Sequence, residues 1–226
     1  MKKLFFSFSV IAAIAGFAAC KKSSSSPSNN ASVMFVNGCA GTTGITATVG
    51  TTQVSNAGNL SFLSNSGYQN VTAGTDSVGF VLTNLGTPLK SGTSTLAANS
   101  HYSIFVGGLI TAPSYLLLTD DLTAPTSSAN AKVRFVNLSN DTLSETAYVG
   151  TSTIASGITS QTAGTFAQVA AGSYTIKAGD PSNISTVIST SNPIQINAGK
   201  IYTVILTGTT LGTGTSALAL TIIGNN

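Results

Sequence analysis

The sequence predicts an all-β protein made of two tandem sandwich domains. Three observations predict it. A phrase is used twice, Val33-Met34-Phe35-Val36-Asn37 and Val133-Arg134-Phe135-Val136-Asn137, one hundred residues apart. Short runs alternate apolar and polar residues between Gly, Asn and Pro turns. Thr, Val and Ile favour strands, and no stretch keeps a helical period.

The repeat extends beyond the opening phrase. Thr48-Val49-Gly50-Thr51 matches Tyr148-Val149-Gly150-Thr151 at the same offset, and Asn70 to Gly74 matches Gln168 to Gly172 at an offset of 98. Residues 97–104 match 198–204, and Ser114 to Leu118 matches Ser216 to Leu220. Anchors kept in one order at a period near one hundred describe one small domain used twice rather than a solenoid. The expected layout is residues 1–19 signal peptide, 20–30 anchor and tether, 31–122 first repeat, 123–130 linker and 131–226 second repeat.

At the N-terminus, Met1-Lys2-Lys3 precedes an apolar run, Leu4 to Ala19, broken by Ser7, Ser9 and Gly16. A basic start, a short apolar core and small residues before a cut describe a secretory signal. Phe17-Ala18-Ala19-Cys20 resembles a bacterial lipobox, although Phe17 stands where Leu or Val is usual. The small alanines suit the peptidase, and the Cys20 thiol takes the lipid; an ordinary cut near Ala19 is the plainer alternative. Lys21 to Asn30 is polar and Ser-rich, so it buries too little to fold and reads as a flexible tether. Lys21 follows the lipidated cysteine where an inner-membrane retention Asp would stand, which favours the outer membrane, on the cell surface or facing the periplasm.

Charge excludes one class of partner. Charged residues are 7% of the chain, and without residues 1–19 seven basic residues face six acidic ones. No basic patch exists to neutralise a nucleic-acid backbone.

In the first repeat, Val33 and Phe35 face the core by analogy with Val133 and Phe135, whose neighbours Lys132 and Arg134 are expected in water. Met34 then takes the outer face. Val78, Phe80 and Leu82 mark another strand, Tyr102, Ile104 and Val106 a further one, and Tyr115 to Thr119 closes the domain. Turns fall at Asn37-Gly38, Asn56 to Asn59, Ala73-Gly74, Leu85 to Pro88 and Gly107-Gly108. This spacing gives a seven-strand sandwich, immunoglobulin-like or transthyretin-like. In the second repeat, Tyr174 and Ile176 point inward while Thr175 and Lys177 point out. Tyr202, Val204 and Leu206 repeat the phase of Tyr102, and Leu218 to Ile223 ends the chain as a strand.

The phrases Lys132 to Asn137, Ala171 to Ile176 and Ala198 to Val204 resemble the bacterial domain-of-unknown-function family four-three-nine-seven. That resemblance implies secreted or lipid-anchored tandem β-sandwiches and carries over no catalytic residue.

Chemistry is sparse. His101, the single histidine, sits at a strand start, and its counterpart is Ile201. One histidine cannot build a multi-histidine zinc site, and no Gly-x-Ser-x-Gly elbow occurs. Cys39 is a lone thiol whose counterpart is Ser139, which reads as a buried residue rather than a reactive or intermolecular one. Asp120 and Asp121 at the boundary, and Asn140, Asp141 and Glu145 in one loop, are weak calcium candidates against a plain solvated reading. Asp76-Ser77-Val78 and Asp141-Thr142-Leu143 match a short O-glycosylation acceptor. No cofactor is expected. The expected function is a non-catalytic envelope lipoprotein that binds protein or glycan, held by its lipid in the membrane. The alternatives are a structural or assembly component and, last, an envelope hydrolase using His101.

Overall fold

In a computed structural model the described residues are 29–180, 188–189 and 192–226. The segments read from sequence as signal peptide and tether, with Cys20, lie outside them but for the last two tether residues.

The first unit holds β1 (Asn30–Asn37), β2 (Ile45–Val49), β3 (Thr52–Gln53), β4 (Asn65–Thr72), β5 (Gly74–Leu82), β6 (Thr87–Leu96), β7 (His101–Leu109) and β8 (Ala112–Thr119). They form two four-stranded sheets, ordered β4-β1-β7-β8 and β3-β2-β5-β6. The described strands of this unit therefore number eight rather than seven, because the β2–β3 turn adds a two-residue edge strand. The first strand lies inside its sheet, antiparallel to β4 and parallel to β7.

The second unit repeats this plan with β9 (Asn130–Asn137), β10 (Glu145–Val149), β11 (Ser152–Ile158), β12 (Thr162–Ala163), β13 (Ala167–Ala170), β14 (Gly172–Tyr174), β15 (Ile176–Gly179), β16 (Ile188–Ser189), β17 (Ile194–Ile196), β18 (Ile201–Thr207) and β19 (Ala219–Gly224). Here β9 pairs parallel with β18, as β1 does with β7, and β19 closes the sheet as β8 does. The long β5 of the first unit corresponds to β14 and β15, which break at Thr175 and pair with β17 and β10 respectively.

Alternation explains each core. Val33 and Phe35 from β1 meet Ile45, Ala47, Val78 and Phe80 from the opposite sheet, together with Ile104 and Val106. The Phe35 and Phe80 rings meet edge to face at 6.3 Å. In the second unit Val133, Phe135, Val204 and Leu206 meet Ala147, Val149, Ile176 and Ala178. Ile176 is buried and Lys177 exposed, as the alternation predicts.

The repeated asparagine closes the phrase. Asn37 Nδ2 donates to Thr42 Oγ1 and to the Leu60 carbonyl, while its Oδ1 accepts from the Cys39 amide. Asn137 does the same with Thr142, the Ile158 carbonyl and the Ser139 amide. A buried amide that satisfies loop backbone at both its ends fixes the loop after the first strand. Cys39 is fully buried and free, with its thiol pushed up to about 12 by that burial.

The outward face of the phrase does not meet water. Met34, Val36 and Phe105 of the first unit form one apolar cluster with Val136, Leu138, Ile205 and Ile223 of the second. The two β1-type sheets pack face to face, so each unit's second face is a shared core. Lys132 and Arg134 are therefore only 7% and 2% exposed, against the expectation that both face solvent, and Met34 is buried at 1%. The units also meet through backbone, the Gly108 amide donating to the Leu138 carbonyl at 3.0 Å. A Cβ on Gly38 would stand 2.4 Å from Leu138 Cδ1, so the glycine makes the hollow that this leucine fills.

Candidate functional site

The chain's one concentration of buried charge lies in this seam, among the described residues. Arg134 projects from the outer face of β9, where the first unit has Met34. Its Nη1 lies 2.7 Å from Asp120 Oδ1, a close ion pair whose N–H is not aligned on that oxygen. Arg134 Nε donates to Thr203 Oγ1 at 2.9 Å and Nη2 to Ser103 Oγ at 3.1 Å. The guanidinium also lies over the Phe166 ring at 4.7 Å, a cation–π contact.

Asp120 has further partners. Its Oδ2 accepts from Ser103 Oγ at 2.6 Å and from the Tyr68 hydroxyl. Tyr68 in turn accepts from Asn225 Nδ2, so it touches both units at once. Burial, and then the neighbouring Asp120 charge, hold the Tyr68 hydroxyl above the usual phenol range. Burial lowers Arg134, opposed by Asp120.

These residues are related by the repeat. Asp120 and Asn225 follow equivalent last strands, and each donates its backbone N–H to the first residue of the neighbouring strand, His101 or Ile201, at 2.8 Å. Ser103 binds Asp120 as Thr203 binds Asn225. Tyr68 and Phe166 correspond at the 98-residue offset. The seam is thus a near-twofold arrangement in which one copy supplies the cation and the other the anion. Like copies cannot form that pair with themselves.

Lys132 extends the same edge. Its Nζ lies 2.6 Å from Asp121 Oδ2 and also donates to Thr123 Oγ1 and two carbonyls. Lys132 and Thr123 hold the Asp121 carboxyl down, to about 2. Asp120 is thus buried in the seam, against the solvated linker entry read from sequence, whereas Asp121 stays exposed and pairs with Lys132.

The remaining candidates do not converge. Asp141 accepts from the Thr210 amide and hydroxyl, tying two loops together. Asn140 lies beside Gly108. Glu145 opens β10 and is 6% exposed, with Oε2 lacking a partner among the described residues. Burial first and the Asp180 charge second raise its carboxyl. Among the described residues no three His, Cys, Asp or Glu come together as a metal site. His101 starts β7, its ring edge-on to Tyr68 at 5.7 Å. Thr142 is 6% exposed and hydrogen-bonded to Asn137, so the acceptor read at that threonine is inaccessible, whereas Ser77 is exposed. Cys20 lies outside the described residues.

Tyr68, Ser103, Phe166, Thr203 and Asn225 carry no motif. The signal that finds them is the repeat offset itself, which pairs them across the units once the seam is known. Fold and seam together define an all-β protein of two duplicated sandwich units fused through a buried, partly ionic face. The family model "Domain of unknown function (DUF4397)" matches residues 31–144 and again 131–226, and the chain belongs to that family. Comparison with curated proteins finds no match.

Proposed function

We propose that the protein is a non-catalytic cell-envelope lipoprotein that presents two transthyretin-like sandwich domains for surface binding or adhesion, of protein or glycan. The domain type is supported by strand order. A first strand set inside its sheet and parallel to the seventh, in sheets ordered 4-1-7-8 and 3-2-5-6, suits that class. The two sheets of an immunoglobulin-type domain divide their strands differently.

The observation that carries the functional reading is the polarity of the fused pair. The chain enters at Asn30, beside the linker and the Arg134–Asp120 pair. The loops after the central strands lie at the other end, where Ile110, Leu143 and Leu211 are 38%, 87% and 92% exposed. A tether through Cys20 would hold the first end at the lipid and present these loops outward. Loop ends of sandwiches on a rigid scaffold commonly carry recognition. Protease shaving of intact cells tests this. Fragments from the second unit released without opening the outer membrane are expected; full protection until it is opened removes surface adhesion. Cys20→Ser should move the protein out of the membrane fraction, and retention there counts against the anchor.

A structural or assembly role is the second reading. Its support is the outer edge of β6, ten residues long with Lys90 as its one charge, since poorly guarded edges invite strand pairing. Monomer behaviour independent of concentration argues against it. A hydrolase centred on His101 has the least support, and turnover of an ester, peptide or glycan panel, lost in His101→Ala, would revive it.

A further inference from the structure

The first unit carries an open cleft of about 470 Å³ where the sandwich's two sheets part, bounded by the edge strand β3, the end of β4 and the start of β5. The second unit shows what closes such a place. There the Tyr174 ring spans the two glycines that flank it, with Cδ1 2.8 Å from where a Cβ on Gly150 would stand and its hydroxyl 2.9 Å from the same point on Gly172. Gly50 keeps the turn of Gly150, both with positive φ, but the residue facing it is Asp76, its carboxylate 3.5 Å from the corresponding point. Asp76 corresponds to Tyr174 at the 98-residue offset. The copies have diverged at this point, from a ring that plugs to a short carboxylate at an open mouth.

We propose that this cleft is a binding site for a neutral oligosaccharide, with Asp76 as its central acceptor. The lining decides the class. Gln53 and Asn70 offer amides that both donate and accept, Ser55 and Thr72 offer hydroxyls, and Asp76 accepts only. That mixture matches the paired hydroxyls of a sugar. The floor is Val54 and Val71, whose 8% and 7% exposure leaves a small apolar patch, too little for a lipid chain. No cation lines the cleft, which disfavours an anionic ligand. A peptide adding as a strand would find at the cleft only the two residues of β3 and the last three of the edge strand β4, too short a run for a stable ladder. The volume is within the range of small-ligand pockets. This assignment rests on the binding reading above and names the ligand class for it.

The test uses the full chain carrying Cys20→Ser, titrated by NMR with maltotetraose, cellotetraose and the tetramer of N-acetylglucosamine. Saturable shifts at Gly50 and Asn70 with at least one of the three are expected. Asp76→Tyr, which restores the second unit's plug, should weaken binding by at least about tenfold. Asp76→Asn, nearly isosteric, should weaken it less. Asp76 is exposed, and an unchanged melting temperature establishes that both variants fold. No saturable shift with any of the three sugars, or binding that Asp76→Tyr leaves intact, overturns the site. The surface-binding reading fails separately, by protection from shaving. Cells that still adhere when they carry Asp76→Tyr would keep that reading and remove the cleft from it.

Discussion

Arg134→Met is the most informative single change, because it gives the second unit the residue that the first has at the same place. The side chain removed is 2% exposed and pairs with a carboxylate whose own side chain is fully buried. Removing one partner of a buried ion pair costs about 3–5 kcal/mol, because the other charge is left without compensation. Tyr68 and Ser103 still donate to Asp120 Oδ2, which places the expected cost at the low end, about 3 kcal/mol. For a protein of this length about 3 kcal/mol lowers the melting temperature by about 6–12 °C. Adding Asp120→Asn, the residue the second unit has as Asn225, removes the stranded charge and leaves an amide that Tyr68 and Ser103 can still bind. The double variant should regain most of the loss. Urea unfolding of the wild type, both single variants and the double variant gives a cycle whose coupling term isolates the pair. A coupling near zero, or a single Arg134→Met change below about 1 kcal/mol, would refute the reasoning that this buried pair stabilises the seam.

Three further outcomes are expected. Asn137→Ala should destabilise by about 1–3 kcal/mol, because the Ser139 amide and the Ile158 carbonyl lose buried partners, and hydrogen exchange should rise in the 138–144 loop. Glu145→Gln should raise the melting temperature at neutral pH. The folded-state carboxyl is raised, so the native chain holds the proton longer, and stability falls as pH rises from the ordinary carboxylate range through the folded value. The gain should therefore vanish in acid below that range; a gain independent of pH would refute this cause. Cys39 should resist maleimide in the native state and react on unfolding, since its thiol is buried and raised to about 12. Rapid native labelling would contradict that burial.

The sequence by itself determined the all-β class, the duplication and the residues of each inner core. Strand alternation is local chemistry: Val33 and Phe35 against Met34, Val133 and Phe135 against Arg134, Ile176 against Lys177 can all be read two residues at a time. The repeat gave the same answer twice, and family membership follows from the same phrases. Alternation says which side chains leave one core, but not what meets the opposite face. Arg134 reads as solvated because charge usually means water. Its partner Asp120 lies at the boundary just before the linker, and Ser103, Thr203, Tyr68 and Asn225 stand out in no way until two sheets bring them together. The exchange of Tyr174 for Asp76 is likewise visible at the 98-residue offset. Only the tertiary structure shows the Tyr174 ring against Gly150 and Gly172 where the first unit has a cleft beside Asp76. Pairings distant in sequence depend on the packing of whole sheets, and that was decided by the tertiary structure alone.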